Sequence, residues 1–88
     1  MKKRILVIDD NEGLVSMIKE YFNKSNYASV VLDANNGKDG LELIKTRVND
    51  YDIVLLDLIM PHEDGIYVLK NMRKEGIENN VIVLTSFE

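Results

Sequence analysis

The chain has 88 residues, with 11 basic and 15 acidic side chains, a net charge of −4 and no cysteine. That length holds one domain at most; disulfides, thiol chemistry and thiolate metal sites are excluded, and the acidic balance leaves no electrostatic footprint for nucleic acid. No apolar stretch approaches the ~20 residues of a membrane span, and no signal-peptide pattern precedes the first strand, so a cytoplasmic protein is expected.

Short apolar runs alternate with amphipathic stretches, the pattern of βαβ units around a parallel sheet. Lys2-Lys3-Arg4 reads as a solvated strand entry. The first strand is expected from Arg4 to Asp9, an apolar run closing on Asp9-Asp10. A helix from Glu12 to Lys24 follows, with Leu14, Val15, Ile18 and Phe22 on one face. Asp10 or Asn11 can cap it. The second strand runs from Ala28 to Asp33, with Val30, Val31 and Leu32 as its β-prone centre. Asn35-Asn36-Gly37 signals a turn and a cap. The second helix is expected from Lys38 to Val48, with Leu41, Ile44 and Val48 as its buried stripe. Gly40 inside it costs ~1 kcal/mol against alanine, so a close helix-sheet approach is expected there.

Ile53-Val54-Leu55-Leu56 is an apolar run that ends at Asp57, and Leu58-Ile59-Met60-Pro61 follows. A run this short, bounded by polar residues and a proline, reads as a central parallel strand. Pro61 to Gly65 is a tight connection, with Asp64-Gly65 serving as turn and cap. The third helix is expected from Gly65 to Lys74, with Ile66, Leu69 and Met72-Arg73 inward. Gly76 stops it. Val81-Ile82-Val83-Leu84 reads as a fourth buried strand, ending at Thr85-Ser86.

The order β-α-β-α-β-α-β predicts a doubly wound α/β fold. With strand order 2-1-3-4, the carboxyl ends of the first and third strands flank the switch point where such sheets bind ligands. Asp9, Asp10 and Asp57 then converge, with Thr85 one strand further along. Like charges at close range need a proton or a cation between them; a magnesium site is the simpler reading. His62 sits alone in an exposed turn and has no second imidazole to join it on a metal. Asp33 and Asp39 read as solvated, and Met60 and Met72 as packing residues.

Ile8-Asp9-Asp10-Asn11, Leu56-Asp57-Leu58-Ile59-Met60-Pro61, Asp64-Gly65 and Leu84-Thr85-Ser86 occur in this order. Together they resemble the receiver domain of two-component response regulators, a flavodoxin-like fold, over the whole chain. Within that family, Ile59 to His62, Asp64-Gly65 and Leu84-Thr85 with Phe87 are similar to the sporulation-initiation type. The resemblance implies that Asp57 is a phosphoacceptor. It implies Mg2+ held by the Asp10 and Asp57 side chains and the Ile59 backbone carbonyl, with Asp9 acting through the metal's water. Thr85 would read the phosphoryl group, and Ser86 would keep the pocket open. A histidine kinase or phosphotransfer protein would be the donor, docking on the first helix and the loops after the first and third strands.

Family members run to roughly 120 residues, near the modal domain size. Residues 1–88 therefore read as the N-terminal portion of a receiver, without a last helix, strand and helix. The family's strand-end lysine has no counterpart here. The fourth strand would then be an open edge that invites a homodimer. Two other classes compete. An aspartyl phosphatase would place an acid two residues after the nucleophile, where this chain has Ile59. A degenerate receiver would work by protein contact alone. A flavodoxin-type cofactor protein is disfavoured because Asp9-Asp10-Asn11-Glu12 is acidic where a phosphate loop is glycine-rich.

Overall fold

The computed structural model describes residues 2–62 and 64–84. Strands β1 (Lys3–Ile8), β2 (Ala28–Ala34), β3 (Ile53–Asp57) and β4 (Asn80–Leu84) alternate with helices α1 (Glu12–Asn23), α2 (Gly37–Thr46) and α3 (Gly65–Lys74). The strands form one sheet in the order β2-β1-β3-β4, and every pairing is parallel. This is the flavodoxin-like, doubly wound arrangement expected from the sequence.

Alternation along β1 divides the core. Ile5 and Val7 point to one face, where Val15, Ile18 and Phe22 of α1 pack on them with Ala28. Leu6 and Ile8 point to the other, against Leu41 and Ile44 of α2 and Val68 and Met72 of α3. A strand covered on both faces has no solvent side, so β1 and β3 read as unbroken apolar runs. Full burial of a side chain such as Ile44 or Leu56 contributes about 1.5–3 kcal/mol, and both are buried here. Gly40 faces Ile8: a Cβ on it would lie 2.6 Å from Ile8 Cδ1, so the close approach expected of this glycine is present.

Each helix begins on a side-chain cap. The Leu14 amide donates to Asn11 Oδ1 at 3.0 Å, Asp39 to Asn36 Oδ1 at 2.8 Å, and Tyr67 to Asp64 Oδ1 at 3.0 Å. Each such cap contributes about 1 kcal/mol. Gly76, at φ +69, lies just past Glu75, the C-cap of α3.

The structure corrects three local expectations. Helix α2 ends at Thr46, and Val48 is 53% exposed. Arg47 and Asp50 pair across the turn at 2.6 Å and end the helix before Val48 could join the stripe. On α3 the inward residues are Gly65, Val68 and Met72, while Ile66 and Arg73 face solvent. Met72 and the half-buried Leu69 pack on the core as expected, but Gly65 lies so close to β3 that it takes the inner position in place of Ile66. Strand β4 is not buried: its residues are half-buried or exposed. Asp33 is exposed, as expected, and pairs on the surface with Lys19 at 2.6 Å. An irregularity also shifts the β1–β2 register, because Ile5 pairs with Val30 but Leu6 with Leu32. Val31 is the extra residue and is exposed on the sheet edge.

At the N-terminal end of the sheet, polar groups are matched. Arg4 grips Asp52 through Nη2 at 3.0 Å and Nε at 3.1 Å, and its Nη1 donates to the Asn49 carbonyl at 2.9 Å. The buried Tyr51 hydroxyl donates to the Ile44 carbonyl at 2.9 Å, and Asn79 donates to the Tyr51 oxygen. No helix among the described residues is long and apolar enough to cross a membrane.

Candidate functional site

Strand register builds the site. Ile8 is the partner of Leu56, so the next residue on each strand, Asp9 and Asp57, comes side by side at the carboxyl end of the sheet. The Asp9 amide still donates to the Ala34 carbonyl at 3.0 Å, which anchors this end to β2. Asp10 follows on the exposed β1–α1 loop. One carboxylate oxygen from each of Asp9, Asp10 and Asp57 lies within 4.8 Å of the others.

Asp9 is only 3% exposed and Asp57 9%, whereas Asp10 faces solvent. Two amides orient the buried pair. Asn11 N–H donates to Asp9 Oδ1 at 2.9 Å, and Ile59 N–H donates to Asp57 Oδ1 at 3.0 Å. Burial pushes the Asp9 carboxyl above its ordinary value; the Asn11 amide opposes this, and the charges of Asp57 and Asp10 add to it. None of the three carboxylates takes part in a salt bridge among the described residues. The donor set is oxygen-only and rich in negative charge, with one member open to water. That is the chemistry of a hard divalent cation that keeps part of its hydration shell. The residues present therefore fit Mg2+.

A groove of about 710 Å³ opens beside the pocket, between α1, the end of β2 and α2. Asp9 reaches its wall, but Asp10 and Asp57 do not line this groove.

The structure brings together the acid trio and places Ile59 directly beside it. Thr85 and Ser86 lie outside the described residues; Leu84, which precedes them, pairs with Asp57, and its carbonyl accepts from Leu58 N–H at 3.1 Å. Two contributors escaped the sequence reading. One is the Asn11 main chain, which orients Asp9. The other is Gly65, whose missing side chain makes room for the main chain of Asp57. An Asx cap one residue after an acid pair, and a glycine opening a helix, were the available signals.

A sequence profile described as the response regulator receiver domain matches residues 5–88. The chain belongs to that family. Over 83 residues it is 41% identical to the transcriptional regulatory protein DltR of Streptococcus agalactiae, covering 94% of this chain and 35% of DltR. Over 86 residues it is 33% identical to the alkaline phosphatase synthesis transcriptional regulatory protein PhoP of Bacillus subtilis, covering 98% and 34%. The chain thus spans about a third of the length of these relatives. Among solved structures, the receiver domain of Francisella response regulator 1452 superposes with a TM-score of 0.84 at 36% identity, over 99% of this chain and 69% of that one. A chain of the CheX–CheY–BeF3–Mg2+ complex from Borrelia burgdorferi gives 0.84 at 26% identity, over 97% and 63%.

Proposed function

We propose that this chain is the phosphoacceptor portion of a two-component or phosphorelay receiver, with Asp57 as the residue that carries the phosphoryl group. The observation behind this reading is the cluster of Asp9, Asp10 and Asp57 at adjacent strand ends, two of them buried and none salt-bridged among the described residues. Such an arrangement opposes folding and suits a cation and an anionic substrate.

In this reading an Asp57 carboxylate oxygen attacks phosphorus as the N–P bond of a donor phosphohistidine breaks. The imidazole leaves with the bonding pair and takes up a proton. The Ile59 amide holds Asp57 Oδ1 and so directs the other oxygen to the reaction. Asp10 and Asp57 would hold Mg2+ with the Ile59 carbonyl, and Asp9 would act through a metal-bound water. A bound Mg2+ supplies the charge neutralisation that lets a carboxylate approach a phosphoryl group. Thr85 would donate its hydroxyl to the phosphoryl oxygens, converting added charge of about −1.5 to −2 into a backbone shift. The Mg2+ in the Borrelia complex, and the family itself, support the metal assignment.

The chain would work in the cytoplasm, and its donor would be a histidine kinase or a phosphotransfer protein. The names of DltR and PhoP point to transcription as the output of a longer parent, of which residues 1–88 would be a part. A narrower kinship with sporulation-initiation regulators would rest on residues 59–62, 64–65, 84–85 and 87 alone.

A second reading, contact without phosphotransfer, draws on β4. Asn80–Leu84 carries no charge and no proline, Ile82 is 51% exposed, and no strand among the described residues pairs with its outer edge. Edges of this kind pair with other chains, so a homodimer through β4 would be the active species.

Intact-mass spectrometry after incubation with acetyl phosphate separates the two. The phosphoacceptor reading predicts one phosphoryl adduct that requires both Mg2+ and Asp57. No adduct, together with a dimer in sedimentation, would leave the contact reading standing.

A further inference from the structure

Gly65 opens α3 directly behind the end of β3. A Cβ built on it would overlap the carbonyl oxygen of Asp57. It would also lie 2.7 Å from Leu58 Cα and 3.0 Å from the Asp57 carbonyl carbon. These atoms are main chain, which cannot swing aside as the end of a side chain can. Gly65 is not among the residues with positive φ. Proximity alone demands glycine here.

The first turn of α3 is fastened where it lies. Gly65 N–H donates to the Leu58 carbonyl at 3.3 Å, and Val68 N–H to the Asp64 carbonyl at 3.2 Å. Asp64 caps the same turn through Tyr67, while Val68 and Met72 are sunk in the core. The helix is therefore not free to retreat from an added methyl group; the Asp57–Leu58 peptide would have to move.

We propose that Gly65 is a positioning residue for the acid pocket. By admitting the first turn of α3 against the Asp57–Leu58 peptide, it fixes where the Asp57 carboxylate stands relative to Asp9 and Asp10. The inference rests on the phosphoacceptor reading above. Loss of a group that orients a metal ligand lowers metal affinity by about 10–100-fold, and displacement of a reacting atom by about 1 Å can slow a reaction by about 10²-fold.

The test compares Gly65→Ala with Gly76→Ala. Gly76 sits at φ +69 with nothing within 4 Å of an added Cβ, so its substitution strains the backbone far from the pocket. Mg2+ is titrated into each protein while the Asn11 and Ile59 amide signals are followed by NMR, with thermal midpoints measured in parallel. Gly76→Ala should lose stability and keep the wild-type affinity. Gly65→Ala should bind Mg2+ about 10-fold or more weakly, with the Leu58 and Ile59 amide signals displaced before metal is added. A folded Gly65→Ala protein with wild-type affinity overturns the proposal. If Gly65→Ala does not fold, Asp64→Ala carries the test, since it keeps the glycine but frees the first turn of α3. A several-fold loss of affinity supports the proposal, and unchanged affinity overturns it. Wild-type protein that binds no Mg2+ overturns the phosphoacceptor reading itself, whatever the variants do.

Discussion

At the N-terminal end of the sheet Asp52 accepts from three nitrogens of Arg4, its amide, Nε and Nη2, while at the carboxyl end Asp9, Asp10 and Asp57 face one another without a salt bridge among the described residues. The same residue type responds in opposite ways. The Arg4 guanidinium and amide hold Asp52 at a pKa of about 2, whereas burial raises that of Asp9. Selection for stability alone would favour the first arrangement at both ends. A fold that keeps crowded acids where α/β sheets bind ligands retains them for something they bind.

The sharpest way to break this comparison is to remove the proposed phosphoacceptor. Asp57→Asn should abolish the phosphoryl adduct completely in intact-mass spectra while leaving the fold in place. Next comes the metal. Asp10→Asn should weaken Mg2+ binding by about 10-fold or more, since a ligand charge is lost from a hard-cation site; calorimetry would show it. Asp9→Asn keeps the acceptor for the Asn11 amide and removes like-charge repulsion. In chelator it should raise the thermal midpoint, and added Mg2+ should then stabilise it less than it does the wild type. A lowered midpoint in chelator would mean that repulsion in the pocket is already relieved.

The other end should respond differently. Tyr51→Phe leaves the Ile44 carbonyl without its donor and should cost about 1 kcal/mol in denaturant unfolding, with Mg2+ affinity unchanged. Asp52→Asn should have the smallest effect, because its ion pair is exposed and screened by salt. Its pH dependence has a definite sign. The folded pKa lies below the unfolded value of 3.8, so the Asp52 contribution is full above that value. It is lost as pH falls from 3.8 through about 2, and Asp52→Asn should flatten the acid limb of the stability curve there.

Much of this was legible in the residues themselves. Two apolar runs ending in Asp9 and Asp57 marked β1 and β3, and the acids converge once the order 2-1-3-4 is supposed; the structure has that order. Periodicity could not fully orient α3: Leu69 and Met72 pack inward as expected, but Ile66 and Arg73 fit the same stripe in sequence and face solvent, while Gly65 and Val68 are buried. The choice is made by Gly65, whose contact with β3 is tertiary. Val31 was hidden for a related reason: Val30-Val31-Leu32 is uniformly apolar, so no alternation marks the extra residue. Val48 continued the α2 stripe in sequence, but the Arg47–Asp50 turn ended the helix first. The exposure of β4 depends on what lies against it, which the strand's own residues do not state.

The most direct test of the central claim, that the unmatched end of the sheet is a cation site, is calorimetric titration of Mg2+ into wild type, Asp10→Asn, Asp57→Asn and Asp52→Asn. The account predicts one Mg2+ per chain in the wild type, binding weakened or lost in the Asp10 and Asp57 variants, and wild-type binding in the Asp52 variant. Absence of binding in the wild type, or binding indifferent to Asp10 and Asp57, would contradict it.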